Sequence, residues 1–317
     1  MKACYVGFDT SNYTTSVAVC NDSGEIVANL KIPLPVKQGQ RGLRQSDAVF
    51  EHVRNMPRLM QMLSESLEGY EPVAVGVSVK PRDAEDSYMP CFLSGKSAAY
   101  AFAAARGLEV CELSHQNGHI MAAVYSAGKQ ELLKGEKPFF AFHVSGGTTE
   151  VLLVTPQPLG FSVELVGSTA DINAGQAIDR VGVAMELKFP CGAELEALAA
   201  HYEGKISQRT VCVRDGVCSL SGVENLALKL YEESGDKSAV AAFVFDFLGR
   251  TLEKMRDDVL AKYGKMPVIF AGGVMSNKLM RKRLSQGCEA YFSEPQFSAD
   301  NAAGIALLCR ERMNTEG

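Results

Sequence analysis

The chain reads as a duplicated α/β protein, because one local pattern occurs in each half and amphipathic helical segments lie between its strand-like runs. Near the N-terminus, Tyr5-Val6-Gly7-Phe8 leads through the turn cluster Asp9-Thr10-Ser11-Asn12 to Ser16-Val17-Ala18-Val19-Cys20. Asn21-Asp22-Ser23-Gly24 then turns the chain into Ile26-Val27-Ala28. Near residue 140 the pattern returns. Phe139-Phe140-Ala141-Phe142 leads to Ser145-Gly146-Gly147-Thr148, then to Val151-Leu152-Leu153-Val154, a Pro/Gly turn and Phe161-Ser162-Val163-Glu164-Leu165. Residue identity between the halves is slight, so the repeat is one of structure.

The other elements follow from apolar spacing. Residues 51–67 carry Val53, Met56, Leu59, Met60 and Leu63 at helical intervals. Val73-Ala74-Val75-Gly76-Val77 is strand-like, and the Ala-rich segment 97–106 is helical. Segments 175–187, 194–202 and 238–262 read as helices, Val268-Ile269-Phe270 as a buried strand, and a helix opens at Ser276. A last helix occupies 300–313. At 317 residues two domains are the default. The boundary is placed near 108–114. It gives an N-terminal domain at 1–112, to which a C-terminal helix at 301–317 returns, and a C-terminal domain at 113–300 carrying the nucleotide and metal site. No long linker separates them, so the two domains are expected to face each other across a nucleotide cleft.

Bulk composition narrows the function. Apolar residues make up 46% of the chain and the formal charge is -5. A free-standing nucleic-acid binder usually carries a basic excess, so any RNA contact needs a local patch or a partner subunit. Nine scattered cysteines without a C-x-x-C pair read as reduced thiols in a cytoplasmic protein. Neither a secretory signal nor a membrane helix is expected.

Three segments carry candidate chemistry. In His115-Gln116-Asn117-Gly118-His119 the two imidazoles sit at i and i+4, so a helix would present both on one face, where they can share a metal or simply be exposed. Asp300, at the start of the last helix, is a candidate third ligand or an N-cap. Such a mixed set suits Fe²⁺ or Zn²⁺ better than Mg²⁺ and leaves positions that nucleotide phosphate oxygens can fill. Val144-Ser145-Gly146-Gly147-Thr148-Thr149 has the small residues of an anion-binding turn, though Gly-Gly also makes ordinary hairpins. Ala271-Gly272-Gly273-Val274 follows a strand and precedes a helix, which aims Asn277 at a ribose or base, or else marks close strand–helix packing. Asp179 and Glu196 flank Phe189-Pro190-Cys191-Gly192, as ribose-binding carboxylates or as solvated helix faces. His143 and Ser145 share a strand face, but no G-x-S-x-G elbow supports a serine hydrolase. Lys80-Pro81-Arg82-Asp83 reads as a plain charged turn.

Taken together, these segments resemble the universal tRNA threonylcarbamoyladenosine transferase subunit family (TsaD/Gcp, formerly called O-sialoglycoprotein endopeptidase). The resemblance runs from Val6-Gly7-Phe8-Asp9-Thr10-Ser11 to Asp300-Asn301-Ala302-Ala303 and includes Ala174-Gly175-Gln176-Ala177-Ile178-Asp179-Arg180 and Ser219-Leu220-Ser221-Gly222. It implies duplicated actin/Hsp70-like domains of the sugar-kinase, ribonuclease-H-like type. It also implies His115, His119 and Asp300 as metal ligands, and His143, Val144, Ser145, Gly146, Gly147, Asp179, Gly192, Glu196 and Asn277 as the set for an adenine nucleotide or acyl-adenylate. The implied activity is that of an N6-L-threonylcarbamoyladenine synthase, an acyltransferase acting in tRNA processing. It transfers threonylcarbamoyl from threonylcarbamoyl-AMP to N6 of a tRNA adenosine, within a complex formed with itself or with a protein of similar fold. No individual catalytic group follows. Several positions depart from the family pattern. Asn12-Tyr13-Thr14 replaces Cys-Asp-Glu, Lys80-Pro81-Arg82 replaces Gly-Pro-Gly, and Gly147-Thr148-Thr149 replaces Gly-Gly-His-Thr. Gln176 replaces an acid, and Pro190-Cys191-Gly192 replaces Pro-Gly-Gly. The chain therefore reads as a divergent member or paralogue, with a catalytically degenerate nucleotide-binding partner subunit as the alternative.

Overall fold

Residues 1–11, 13–35, 43–158, 160–298 and 300–316 are described in a computed structural model. Asn12 of the first turn cluster, Leu159 of the Pro/Gly turn and Ala299 before the last helix lie outside the described residues. The chain folds as two compact units. One comprises Met1–Gln130, Gln157–Gly160 and Ala299–Gly317, the other Glu131–Pro156 and Phe161–Ser298.

The first unit begins with β1 (Lys2–Ser11), β2 (Thr14–Asn21) and β3 (Ile26–Pro33), then α1 (Gln45–Ser66), β4 (Tyr70–Lys80), α2 (Phe92–Arg106), β5 (Glu109–Ser114) and α3 (His115–Ser126). Its five-stranded sheet runs β3-β2-β1-β4-β5. The β1–β2 and β2–β3 pairs are antiparallel, whereas β1–β4 and β4–β5 are parallel. Both faces of the central strand are covered, so β1 is buried without interruption from Cys4 to Ser11 and shows no polar alternation. Helix α1 buries Ala48, His52, Leu59 and Leu63, one stripe of a 3.6-residue period. Helix α2 stops at Gly107, whose φ of 66° makes the left-handed cap that glycine accepts without strain.

The second unit contains α4 (Glu131–Lys134), β6 (Phe139–Val144), β7 (Thr149–Gln157), β8 (Gly160–Thr169), α5 (Ala174–Ala184), α6 (Gly192–Ala200), β9 (Cys212–Arg214) and β10 (Val217–Ser219). It continues with α7 (Ser221–Ser234), α8 (Lys237–Tyr263), β11 (Val268–Ala271), a 3₁₀ turn at Gly273–Ser276, α9 (Lys278–Leu284), β12 (Ala290–Phe292) and α10 (Pro295–Ser298). Its sheet order is β12-β11-β6-β7-β8-β10-β9. Setting aside the β9–β10 hairpin at one edge, the order repeats that of the first sheet, with β6, β7, β8, β11 and β12 in the places of β1 to β5. The duplication is therefore one of topology. Phe140, Phe142 and Phe270 fill the buried centre, and the Phe142 and Phe270 rings lie 4.9 Å apart.

The final helix, α11 (Ala303–Glu316), belongs to the first unit. Residues 113–130 and Asp300, expected with the C-terminal domain, group there too, because α11 packs on α3 as well as on the sheet. Glycines permit this approach. A Cβ on Gly7 would lie 2.5 Å from the Ala306 nitrogen, and one on Gly76 would lie 2.8 Å from the Ile305 oxygen. A Cβ on Gly304 would collide with the backbone oxygen of Gly118 in α3. Gly7 and Gly76 are register partners on β1 and β4, so the pair forms a bare platform under the first turns of α11. Two elements differ from the sequence reading. Helix α7, absent from that reading, follows Leu220 and sets Val223, Leu226, Ala227, Leu230 and Tyr231 at helical spacing against the core. The helix expected at Ser276 is a 3₁₀ turn followed by α9, which Asn277 caps by accepting the Met280 N–H at 2.9 Å.

Gly76→Ala and Gly304→Ala each force α11 outward and are expected to lower stability by about 1–3 kcal/mol or more. Gly222→Ala in α7, with nothing within 4 Å of its added carbon, is expected to be neutral or slightly stabilising. Thermal or urea unfolding of the three variants checks the contrast, which equal losses at all three positions would contradict.

Candidate functional site

Ser114 ends β5 and caps α3, its Oγ accepting the Asn117 N–H at 3.2 Å. That cap sets His115 and His119 on one face of the first turn, with ring centroids 4.3 Å apart. The turn after β4 holds the same helix start. Pro81 accepts the Gln116 N–H at 2.9 Å, and Asp83 accepts from the Asn117 amide at 2.7 Å. The charged turn at Lys80–Asp83 thus tethers α3.

Asp300 lies just before the start of α11. Asn301 accepts the Ala303 N–H at 3.1 Å, and the Asp300 carboxylate faces the imidazoles. Its Oδ1 lies 3.3 Å from His119 Nε2 and 3.8 Å from His115 Nε2. One ligand atom from each of the three residues falls within 4.8 Å of the others, and this is the sole such group among the described residues. A fourth residue supports them from behind. Asp9, 1% exposed at the end of β1, places Oδ2 2.8 Å from His115 Nδ1 and accepts the Ser78 hydroxyl on Oδ1 at 2.6 Å. Sequence reasoning took Asp9 for part of a turn cluster. The available signal was an acid at the end of an apolar run that a central strand would bury.

Burial alone would push the His115 imidazole down, but the charge and hydrogen bond of Asp9 and the charge of Asp300 reverse this and raise it to about 9. The surroundings favour positive charge. Two carboxylates with two neutral imidazoles carry two negative charges, which a divalent cation balances. Two nitrogens and one oxygen suit Fe²⁺ or Zn²⁺, and three protein ligands leave positions open for exogenous oxygens.

The residues expected to bind nucleotide lie in the second unit, grouped by short contacts. His143 and Val144 end β6, and Ser145, Gly146 and Gly147 form the turn into β7. The Ser145 hydroxyl already accepts the Gly147 and Thr148 N–H groups at 3.2 and 3.1 Å. Those two amides face the turn's own hydroxyl, so the expected anion nest is partly closed. A Cβ on Gly175 would lie 2.6 Å from the Gly146 nitrogen, so the start of α5 abuts this turn. Gly272, at φ 99°, has no room beside the Val144 carbonyl, which brings the β11 turn to the same place. Asp179 gives one oxygen to the Cys191 N–H at 2.8 Å, and Glu196 gives one to the Lys278 N–H at 2.7 Å. Burial raises the Asp179 carboxyl, with the Cys191 amide opposing. Gly192 opens α6 with free space beside it. Asn277 is 6% exposed; its Oδ1 caps α9 while its Nδ2 has no hydrogen-bond partner. A buried amide donor left over in this way fits a ligand acceptor.

One departure from the family pattern, Gln176, has a structural role, as does Thr149, which the pattern shares. Gln176 accepts the Asn173 N–H at 3.0 Å, a capping task that either Glu or Gln performs. Thr149 accepts the Ala174 N–H at 2.9 Å and fastens α5 to β7. In the first turn, Tyr13 is exposed and Thr14 opens β2, while Asn12 lies outside the described residues.

Comparison with known proteins gives the family and the fold. Residues 88–307 match the sequence profile of TsaD, tRNA N6-adenosine threonylcarbamoyltransferase. A protein of that name from Streptococcus pneumoniae (strain Taiwan19F-14) is 30% identical across 100% of this chain and 94% of its own length. Another, from Streptococcus suis (strain 05ZYH33), is 30% identical across 98% and 93%. Among solved structures, component A of the (R)-2-hydroxyglutaryl-CoA dehydratase of Acidaminococcus fermentans superposes with a TM-score of 0.56 at 16% identity, covering 99% of this chain and 100% of that one. HypF of T. kodakarensis gives 0.63 at 12% identity over 99% of this chain, which spans 48% of that protein. A ROK-family glucokinase from Streptomyces griseus gives 0.53 at 16%, covering 97% of this chain and 99% of that one. These likenesses establish the duplicated sugar-kinase, actin-like fold. No helix among the described residues is long and apolar enough to cross a membrane. The chain belongs to the tRNA N6-adenosine threonylcarbamoyltransferase family.

Proposed function

We propose that the chain is an active, metal-dependent transferase that moves a threonylcarbamoyl group from its adenylate to N6 of an adenosine in tRNA. The observation that carries this reading is the convergence of His115, His119 and Asp300 in a member of this family. A divalent ion held by them would supply the positive charge of a Lewis acid in the first unit. The turn at residues 143–147 would hold the adenylate with Gly192, Asp179, Glu196 and Asn277, the carboxylates taking ribose hydroxyls and Asn277 Nδ2 donating to a ligand oxygen or ring nitrogen. With the mixed anhydride fixed, the N6 amine attacks its carbonyl carbon. A C–N bond forms, the bond from that carbon to the phosphate oxygen breaks, AMP departs and the amine loses a proton. Positioning and electrostatic stabilisation supply the rate.

With a net charge of -5, tRNA is proposed to bind in a complex. Phe50 and Val53, one turn apart on α1 and 63% and 58% exposed, fit a contact with a second subunit of similar fold. A cytoplasmic location follows from this substrate.

The deciding assay supplies tRNA, threonine, bicarbonate, ATP and an adenylate-forming enzyme. Labelled tRNA above background is expected, and its absence with every subunit present favours the catalytically degenerate partner-subunit reading. His115→Ala/His119→Ala is expected to remove bound metal and lower transfer at least about 100-fold, by metal analysis and the same assay. Asn277→Ala is expected to weaken adenine-nucleotide binding about 5- to 10-fold in calorimetry, the value of one hydrogen bond to a buried group.

The raised imidazole gives a pH test on chelator-stripped protein. His115 titrates near 9 when folded, against an ordinary 6.5. Its contribution to stability is then full below about 6.5 and is lost as pH rises through about 9. The melting temperature should fall across that window, and His115→Gln should flatten the slope. Metal affinity should run the opposite way, rising about tenfold per pH unit below 9, because binding displaces that proton.

A further inference from the structure

We infer that Asp9 is the positioning residue of the metal centre. Its carboxylate takes the Nδ1 proton of His115 in a hydrogen bond, so that the Nε2 lone pair faces the ion, and Ser78 locks that carboxylate in place. This rests on the proposed metal reading of His115, His119 and Asp300.

Asp9 is 1% exposed and Ser78 is fully buried, so neither side chain finds its partners in water. A carboxylate so placed must have both oxygens engaged by the protein. They are. Oδ1 accepts the Ser78 hydroxyl at 2.6 Å and Oδ2 meets His115 Nδ1 at 2.8 Å. The backbone carbonyl of Asp9 also accepts the Ser16 hydroxyl at 3.0 Å. Ser78 of β4 and His115 of α3 therefore hold the rotamer of this acid, while Ser16 of β2 ties down its backbone.

An ionised carboxylate can only accept, so the hydrogen on this bond lies on His115 Nδ1. In the neutral ring the other nitrogen, Nε2, then carries the lone pair, and Nε2 faces Asp300 Oδ1 at 3.8 Å. Asp9 is not itself in the group whose ligand atoms come within 4.8 Å of one another. It acts through the imidazole, as the outer carboxylate of a carboxylate–histidine–metal triad does. His115 is thus a ligand whose orientation is set from the sheet, whereas His119 is set by its place one turn along α3.

The test uses the full chain. Zn²⁺ affinity is measured by competition with a chromophoric chelator for wild type, Asp9→Ala, Asp9→Asn, Ser78→Ala and His119→Ala. Adenine-nucleotide affinity is measured alongside. Wild type is expected to bind one ion and His119→Ala none. If wild type binds none, the metal reading fails, independently of Asp9. Given binding, Asp9→Ala is expected to lose about 10- to 100-fold in Zn²⁺ affinity. Asp9→Asn, which keeps an acceptor but not the charge, should fall between the two, and Ser78→Ala should lose a few-fold. Measured with a chelator present, nucleotide affinity should not change in any of them, whereas general misfolding would lower it. A second readout needs no substitution. In metal-free wild type at high pH, ¹⁵N spectra of the histidine rings should place the His115 proton on Nδ1. A proton on Nε2, retention of Zn²⁺ affinity within about twofold in Asp9→Ala, or an Asp9 oxygen in the coordination shell by X-ray absorption would each overturn the assignment.

Discussion

The close seating of α11 on a surface without side chains governs the first unit. Helices normally pack with 8–10 Å between axes because side chains intervene. Here Gly7 and Gly76 remove them from the sheet, and Gly118 and Gly304 remove them at the crossing with α3. The consequence reaches the site directly. Asp300 stands immediately before the helix that is held down, and His115 and His119 stand on the helix it crosses. An added methyl at Gly304 would have to displace either the Gly118 backbone or the start of α11, the two supports of the candidate metal centre. Packing at residues with no chemistry of their own thus fixes the distances between residues that have it.

Charge is the second constraint. A buried carboxylate is costly unless it is paired, and this site holds one, Asp9, with the part-buried Asp300 across the imidazole from it. Opposite unit charges about 4 Å apart gain about 4 kcal/mol at an effective dielectric near 20. Two such partners outweigh the desolvation that would keep an imidazole neutral, in line with the elevated His115. The same balance can be reached with protons or with a divalent ion, so metal and acid compete for one set of atoms. The network is directional: Ser78 donates to Asp9, Asp9 accepts from His115, and His115 presents its other nitrogen to Asp300.

Much of this was legible in the sequence, though unevenly. The i, i+4 histidines followed from helical geometry, and α3 runs from His115 to Ser126. The two meanders were visible as alternations of apolar run and turn, and both sheets place their first strand centrally, with the meander's second strand on one side of it. Asp300 is different. Nothing local joins it to residues 185 positions earlier, and only the resemblance to a family selected it over a plain cap. Asp9 was passed over because its neighbours made it look like a turn, whereas β1 extends through Ser11. Helix α7 was legible too, since Val223, Leu226, Ala227, Leu230 and Tyr231 recur at helical spacing, although the sequence reading leaves 221–234 unassigned.

The departures from the family pattern separate by what each position does in this chain. At position 176 the side chain caps a helix, and an amide oxygen does so as well as a carboxylate. At 148 the work belongs to the main chain: Thr148 donates its N–H to the Ser145 hydroxyl and accepts the Ser145 N–H at 2.7 Å. A histidine there could be lost without disturbing the turn. At 80–83 the main-chain carbonyl of Pro81, a proline the family pattern shares, and the Asp83 carboxylate hold the first turn of α3. None of these three changes removes a group from the convergent triad. Divergence at a position is therefore weak grounds for inferring lost chemistry until the position's hydrogen bonds are known. In this chain those bonds tie most of the altered positions to the scaffold that carries the unaltered ones.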